Sequence, residues 1–368
     1  MPRMTPRERV LAALRHTQPD RVPFSYGFGP TGEMGQTLTV ELARRGLAWP
    51  RLRAATDDVV QVDPPYIGPP LEAGMDIWGV RWRPMSYGGG TYSEIGTPPL
   101  AGATSVEQVR RHPWPRVEDF DYAALTRQID AAAAGQPRKA IRCTAGNPFE
   151  WYTWMTGMEV ALSNLIDRPA VVLAAMEHIT DFWDARLRRV LAAAGGRIDL
   201  LFFADDLGGQ QGPLMSPTAY RRFIQPFHRR LFTTARQLAP ESRRMFHSDG
   251  SAAAMIPDLL DAGIDVLEAV QIECADMEPE ALKRLYGDRL SFHGAISVQQ
   301  LLPHATAAAV AAQCRHLVAV LGQGGGYIAA PSHAIQYGTP VDNVLAMLQA
   351  VLGEDDYQQA LAQARTKA

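Results

Sequence analysis

His247 and Asp249 stand two residues apart in the stretch Arg243-Arg244-Met245-Phe246-His247-Ser248-Asp249-Gly250. The apolar approach and the closing glycine read as a short buried strand that ends in polar side chains. On an extended strand, residues i and i+2 share one face. Similar polar residues end other apolar runs. Asp205 and Asp206 follow IDLLFFA, Glu268 and Gln271 close IDVLEAV, His293 sits in RLSFHGA, and His333 follows GGGYIAAP. Two chemistries suit such a set. His247, Asp249, Glu268 and His333 offer nitrogen and oxygen donors for a divalent cation such as zinc, with a position open for substrate or water. In the metal-free version, Asp205 or Asp249 anchors a cationic group and a histidine transfers a proton. Each residue also has a plainer role open to it: Asp205 and Asp206 as loop caps or arginine partners, Asp249 as a turn residue, Glu268 as a group that orients a histidine.

These residues need elements that bring them together. Thr5, Pro6 and Glu8 form the start of a first helix, with Thr5 as cap and Glu8 three residues on. Eight strand candidates then alternate with helices: VPFSYG, VVQVDPPY, RKAIRCTAG, IDLLFFADDLG, RRMFHSD, IDVLEAV, RLSFHGA and GGGYIAAP. That rhythm predicts a (β/α)8 barrel. IWGVRWRP and GTYSEIG, separated by YGGG, predict an antiparallel hairpin inserted near residues 76–96. One helix is predicted from Ser216-Pro217 towards Ala239, and another over Pro303 to Leu321. The triple glycine Gly324-Gly325-Gly326 precedes a strand, so it reads as a turn rather than a phosphate cradle.

Barrel active sites form at the C-terminal ends of the strands. That rule adds Tyr26, Tyr66 and Arg142 as substrate-binding candidates beside Asp206, Gln271 and His293. Asn147 and Trp151 open an aromatic segment, with Phe149, Tyr152 and Trp154, that could wall a flat apolar ligand. Arg21 is a further candidate partner for a substrate carboxylate.

The composition narrows the class. The 368 residues are 46% hydrophobic, and 36 basic against 39 acidic residues leave a net charge of −3. Such a balance argues against a nucleic-acid partner. Three scattered cysteines, Cys143, Cys274 and Cys314, form neither a disulfide framework nor a CxxC pair. Residues 1–24 lack the apolar region of a signal peptide, and no uninterrupted apolar run is long enough to span a bilayer. A cytoplasmic protein acting on a small molecule is expected.

The order of several segments carries a resemblance. MTPRERVLAALRHTQPDRVPF, DDLGGQQGPLMSPTAYRRFIQPF, FHSDG, LKRLYGDRLSFHGAI, GGGYIAAPSHAI and TPVDNVLAM together resemble the uroporphyrinogen decarboxylase superfamily over almost the whole chain. The resemblance implies one (β/α)8 barrel domain spanning residues 1–368, with a homodimer as the common assembly. True decarboxylases carry an N-terminal RQAGR motif that helps to hold the tetrapyrrole, and DRVPFSYGFGP stands in that region here. His333 resembles the decarboxylase histidine that follows the last strand. The superfamily's cobalamin-associated methyltransferases bind zinc through His-x-Cys and a later cysteine. His247 matches the first ligand, Asp249 occupies the place of the first cysteine, and His333 falls where the later cysteine would be. The resemblance thus implies a metal-dependent methyltransferase or demethylase whose corrinoid resides on a separate protein. The alternative is a cofactor-independent decarboxylase of a tetrapyrrole or another aromatic carboxylate, and a non-enzymatic small-molecule carrier is the third reading.

Overall fold

The structure is a computed structural model that describes residues 3–88 and 90–366. Its chain begins with the helix Pro6–Leu14. Thr5 accepts from the Glu8 backbone and the Glu8 side chain reaches back to the Thr5 backbone, which completes the predicted capping box. Val10 and Leu14 on this helix join Val59, Ala140, Leu200, Met245, Val266 and Ile328 in one buried apolar cluster. Those last six residues come from six different parallel strands, so the helix plugs one end of a barrel.

The strands are β1 (Val59–Gln61), the hairpin pair β2 (Arg81–Tyr87) and β3 (Gly90–Thr97), β4 (Ala140–Gly146), β5 (Leu200–Ala204), the short ribbon β6 (Gly208–Gly209) and β7 (Gly212–Pro213), β8 (Arg243–His247), β9 (Val266–Ala269), β10 (Ser291–Ile296) and β11 (Tyr327–Pro331). Seven of them form a parallel sheet in the order β1-β4-β5-β8-β9-β10-β11. The predicted first strand, VPFSYG, is reduced to a single parallel bridge between Phe24 and Ala329. It still closes the circle. Ser25 N–H donates to Ala329 at 2.9 Å on the β11 side, and Asp58 N–H donates to Phe24 at 2.8 Å on the β1 side.

The closure has a charged clasp. Asp58 is buried, and its carboxylate accepts from Arg9 Nη1 at 3.0 Å, Arg21 Nη1 at 2.8 Å and the Phe24 backbone at 2.8 Å. Arg21 also pairs with Asp356. It therefore belongs to the plugged end of the barrel rather than to a carboxylate-binding pocket.

Two helical expectations break where the chain must. The segment from Ser216 forms two helices, Pro217–Phe223 and Gln225–Leu238, parted at Ile224. Pro226 lacks the N–H that would continue the ladder and crowds the turn before it. Likewise Leu301–His304 and Ala307–Gly322 are separate, with Thr306 capping the second. The predicted hairpin forms from β2 and β3. Trp78, just before it, is fully buried, stacking on Trp151 with ring centroids 5.0 Å apart. Tyr87 near the tip donates to Gln336 at 2.7 Å, beyond the end of β11.

The clasp makes a stability prediction. Asp58→Ala takes from Arg9 and Arg21 their shared buried acceptor and leaves them Asp20 and Asp356, which puts the cost at the low end of the about 3–5 kcal/mol for breaking a buried ion pair. Urea unfolding followed by circular dichroism should show a loss of that size, with the parallel barrel failing cooperatively.

Candidate active site

Strand periodicity builds the site from the plug upward. Side chains two residues apart on a strand face the same way. Ala140, Leu200, Met245 and Val266 face the interior at the plugged end. Two residues further along come Arg142, Phe202, His247 and Glu268, and from the neighbouring β10 comes His293. The intervening Ile141, Leu201, Phe246 and Leu267 pack outward in the core shared with the helices. A dry apolar floor thus gives way to a polar layer at the C-terminal ends of the strands.

Glu268 is the centre of that layer. It is fully buried. Its Oε2 takes a short hydrogen bond from His247 Nδ1, and its Oε1 lies 3.6 Å from His293 Nδ1. Burial alone would raise the Glu268 pKa, but the charge and hydrogen bond of His247 overturn that and hold it well below the usual carboxylate range. Burial likewise opposes protonation of His247. Glu268 on one side, with Asp249 and Asp206 on the other, outweighs it and pushes the imidazole up to about 10. For His293 burial wins, and its pKa is lowered.

With Nδ1 engaged by Glu268, the Nε2 of His247 faces Asp206 Oδ1 at 3.6 Å and Asp249 Oδ1 at 3.7 Å. His333 Nε2 reaches Asp249 Oδ2 at 3.9 Å. One donor atom from each of His247, Asp249 and His333 lies within 4.8 Å of the others. This donor set fits a divalent cation such as zinc: two imidazole nitrogens and a carboxylate converge, and Glu268 fixes the ring of His247 from behind, as carboxylates do for metal-ligating histidines. Glu268 itself faces the far side of that ring.

The turn after β8 is held by backbone geometry. Gly250 has φ +75°, and a Cβ there would meet the Gly208 carbonyl at 2.5 Å. Only glycine allows the Ser248–Gly250 turn to lie against β6. Asp206 accepts from the Asp249 N–H at 2.9 Å. Gln271 donates to Asp249 Oδ1 at 2.7 Å and accepts from Gly250 N–H at 2.8 Å. Gln271 is buried behind Asp249, so it orients the carboxylate rather than facing the opening.

The remaining predicted residues divide. Asp205 is fully buried, and its oxygens accept from the backbone N–H groups of Phe149 and Glu150 and from His228 Nε2. It caps the helix Pro148–Thr156 and does not reach the cluster. Tyr26 is buried outside the barrel interior, with its hydroxyl on Thr56 at 2.9 Å. Tyr66 bonds Pro69 in its own loop at 3.0 Å. Arg142 lies in the interior layer, where Gln61 and the Gly27 carbonyl accept from its guanidinium. Asn147 donates to Glu150 at 2.7 Å, and Trp151 packs against Trp78 at the base of the hairpin.

Two aromatic residues complete the mouth without having been singled out from sequence. Phe28 is 44% exposed, and its ring lies 4.9 Å from His333, 5.2 Å from His247 and 5.8 Å from Phe202. The available signal was the Gly-Phe-Gly turn: Gly27 and Gly29 both have positive φ and lift Phe28 into the opening. Phe202 was legible from its position two residues after Leu200 on β5.

The uroporphyrinogen decarboxylase (URO-D) family model matches residues 5–353. The chain belongs to this family. Among its curated relatives, the methylated-thiol–coenzyme M methyltransferase of Methanosarcina mazei is 26% identical, with 94% of this chain and 89% of the relative covered. Uroporphyrinogen decarboxylase of Coxiella burnetii is 24% identical over 67% of each chain. A solved methyltransferase structure from Methanosarcina mazei aligns with a TM-score of 0.63 at 20% identity, covering 94% of this chain and 98% of its own. Its barrel fold is the one described above. As a URO-D family member this chain shares its descent with both enzyme types, so an enzyme is the reading the family supports. No helix among the described residues is long and apolar enough to cross a membrane.

The Glu268–His247 pair predicts a pH dependence in chelator-treated protein. Glu268 has a lowered folded pKa, so its contribution to stability is present above its unfolded value of 4.5 and is lost as the pH falls through the folded value. His247 has a raised folded pKa, so its contribution is full below 6.5 and is lost as the pH rises towards about 10. The stability gap between the wild type and Glu268→Gln should therefore be greatest between pH 4.5 and 6.5 and shrink on both sides. Urea titrations at stepped pH measure it.

Proposed function

We propose that this protein is a methyl-transferring enzyme, a methyltransferase or demethylase, that works with a metal held by His247, Asp249 and His333. The observation that carries the proposal is the convergence of those three donors at the barrel mouth. The methylated-thiol methyltransferase among the relatives supports the same reaction class. A separate corrinoid protein is the proposed methyl acceptor or donor, and a small methyl-bearing molecule is the proposed substrate.

In this mechanism a metal such as zinc would supply Lewis acidity at the heteroatom that carries the methyl group. The protein's own groups do the rest. Glu268 holds His247 in the tautomer that leaves Nε2 free on the cluster side. Gln271 and the Asp206–Asp249 backbone contact fix the Asp249 carboxylate. Phe28 and Phe202 shield one side of the cluster with apolar surface, which suits a methyl-bearing ligand and limits competition from water.

Decarboxylation of an aromatic acid is the second reading, and the C. burnetii relative supports it. Electrostatics favours it less. A polycarboxylate entering the mouth meets Asp206 and Asp249, while the nearby cation Arg142 is already bonded to Gln61 and Gly27.

Metal analysis and a transfer assay decide the matter. Purified protein should carry about one zinc or similar ion per chain and methylate reduced cobalamin from a thioether donor. Asp249→Ala and His333→Ala should each weaken metal binding by more than the roughly 10–100-fold that changes behind the ligands cause. Metal-free protein that still performs the transfer, or release of carbon dioxide from aromatic acids in its place, would remove this proposal.

A further inference from the structure

Phe28 combines exposure with rigidity. Its ring is 44% exposed, yet the backbone on either side of it is fully engaged. Gly27 N–H donates to Ser25 Oγ at 3.1 Å, and Gly29 N–H donates to the Tyr26 carbonyl at 2.8 Å. The Gly27 carbonyl accepts from buried Arg142 at 2.9 Å, and the Gly29 carbonyl accepts from Ile335 N–H, beyond β11, at 2.9 Å. Both glycines take positive φ, +59° and +75°, so the turn holds its tip towards the opening. A single exposed apolar side chain is ordinary on a protein surface. A large ring fixed in place beside a cluster of donor atoms is less so, because a group already ordered binds a ligand with little further loss of entropy.

The neighbours of Phe28 define what it can hold. Its ring tilts against His333 with centroids 4.9 Å apart, and it meets His247 and Phe202 edge to face at 5.2 Å and 5.8 Å. His247 and His333 both carry donor atoms of the cluster, so a group packed on Phe28 has one edge at that cluster. The charges at the opening are Asp206 and Asp249, each about one-third exposed. Arg142, the cation of the layer beneath, is committed to Gln61 and to the Gly27 carbonyl. A neutral ligand suits that field better than an anion. We propose that Phe28 is the specificity-determining residue of this site, a packing surface for a neutral substrate whose methyl-bearing heteroatom is attached directly to an aromatic ring. The methyl group in this assignment rests on the methyl-transfer reading; the ring-binding surface does not.

Two features favour an aromatic ring over an alkyl group. Aromatic pairs in offset or edge-to-face contact gain more than the area they bury, and Phe28 already packs edge to face with Phe202 and His247. The span is also short. The Phe28 ring lies about 5 Å from both imidazoles, which a heteroatom bonded straight to the ligand ring matches without a linker. The aromatic segment 147–154, expected from sequence to wall a flat ligand, is engaged elsewhere, with Trp151 stacked on Trp78. Phe28 takes over that role.

Thioanisole and cyclohexyl methyl sulfide share the heteroatom and the methyl group and differ in whether the ring is aromatic. Isothermal titration calorimetry of the purified protein should give a Kd for thioanisole about 10-fold lower than for the cyclohexyl compound, the scale of a good aromatic contact. Phe28→Leu keeps apolar bulk but removes the ring, and should bring the two ligands within about twofold by weakening thioanisole. Phe28→Tyr keeps the ring and should restore the preference. The side chain is half in solvent, so the fold is not at stake in either variant, and the metal content of each reports whether His333 is still in place. Equal affinities in the wild type, or a preference that survives in Phe28→Leu, would overturn the assignment. So would a preference lost in step with bound metal, since Phe28 would then act only by holding His333. Wild-type protein that binds thioanisole through Phe28 but passes no methyl group to reduced cobalamin would sink the methyl-transfer reading and leave the ring-binding assignment standing. Methyl transfer without any aromatic preference would do the reverse.

Discussion

A carboxylate sealed from water, Glu268, is the constraint around which the barrel mouth is arranged. An isolated buried charge is expensive, and the expense is avoided only when opposite charge and hydrogen bonds meet it. His247 meets it directly, and His293 lies close to its other oxygen. This pairing sets the direction in which His247 presents its free nitrogen. The placement of Asp249, Asp206 and His333 around that nitrogen then becomes a chemical site rather than a collection of polar residues. The apolar layer beneath, from Ala140 to Ile328, keeps water from reaching Glu268 from the plugged end.

The same economy governs the neighbouring acids. Asp63 accepts from Arg186 and Thr144, Asp58 binds two arginines, and Asp205 accepts two backbone donors and a histidine. Each is satisfied by structure and has little left for a ligand. Asp206 and Asp249 are different: their carboxyls are about one-third exposed and retain access to the opening, where the fields of their neighbours act on a bound molecule. The inserted hairpin joins this region to the rest of the fold, since Trp78 at its base stacks on Trp151 and Tyr87 near its tip reaches Gln336.

Much of the architecture was legible in residue patterns. The capping box at Thr5, the hairpin, and seven of the eight strand positions follow from local rules about caps, turns and apolar runs. VPFSYG was readable as extended chain, but its reduction to one bridge depends on the two sheet edges it joins. The break at Ile224 follows from Pro226, a local signal that the expectation of one helix from Ser216 towards Ala239 did not use. Tyr26 and Tyr66 illustrate the limit of the strand-end rule. Both stand near the end of an extended segment, yet one turns into the outer core and the other onto its own loop, because a strand end specifies a place but leaves the direction of the side chain open.

The sequence by itself determined which residue types end the strands, and with them the family, the barrel and a short roster of acids and histidines. Only the tertiary structure decided between adjacent members of that roster. Asp205 and Asp206 are chemically identical neighbours. Successive side chains leave an extended backbone on opposite sides, so one is driven into the helix Pro148–Thr156 and the other to the mouth. Which is which depends on the register of β5 against β4 and β8, a property of three strands far apart in the chain. The HSDG turn was sharpened in the same way: His247 and Asp249 share a side, as the spacing required, but Glu268, Gln271 and Gly208 fix what that side can do.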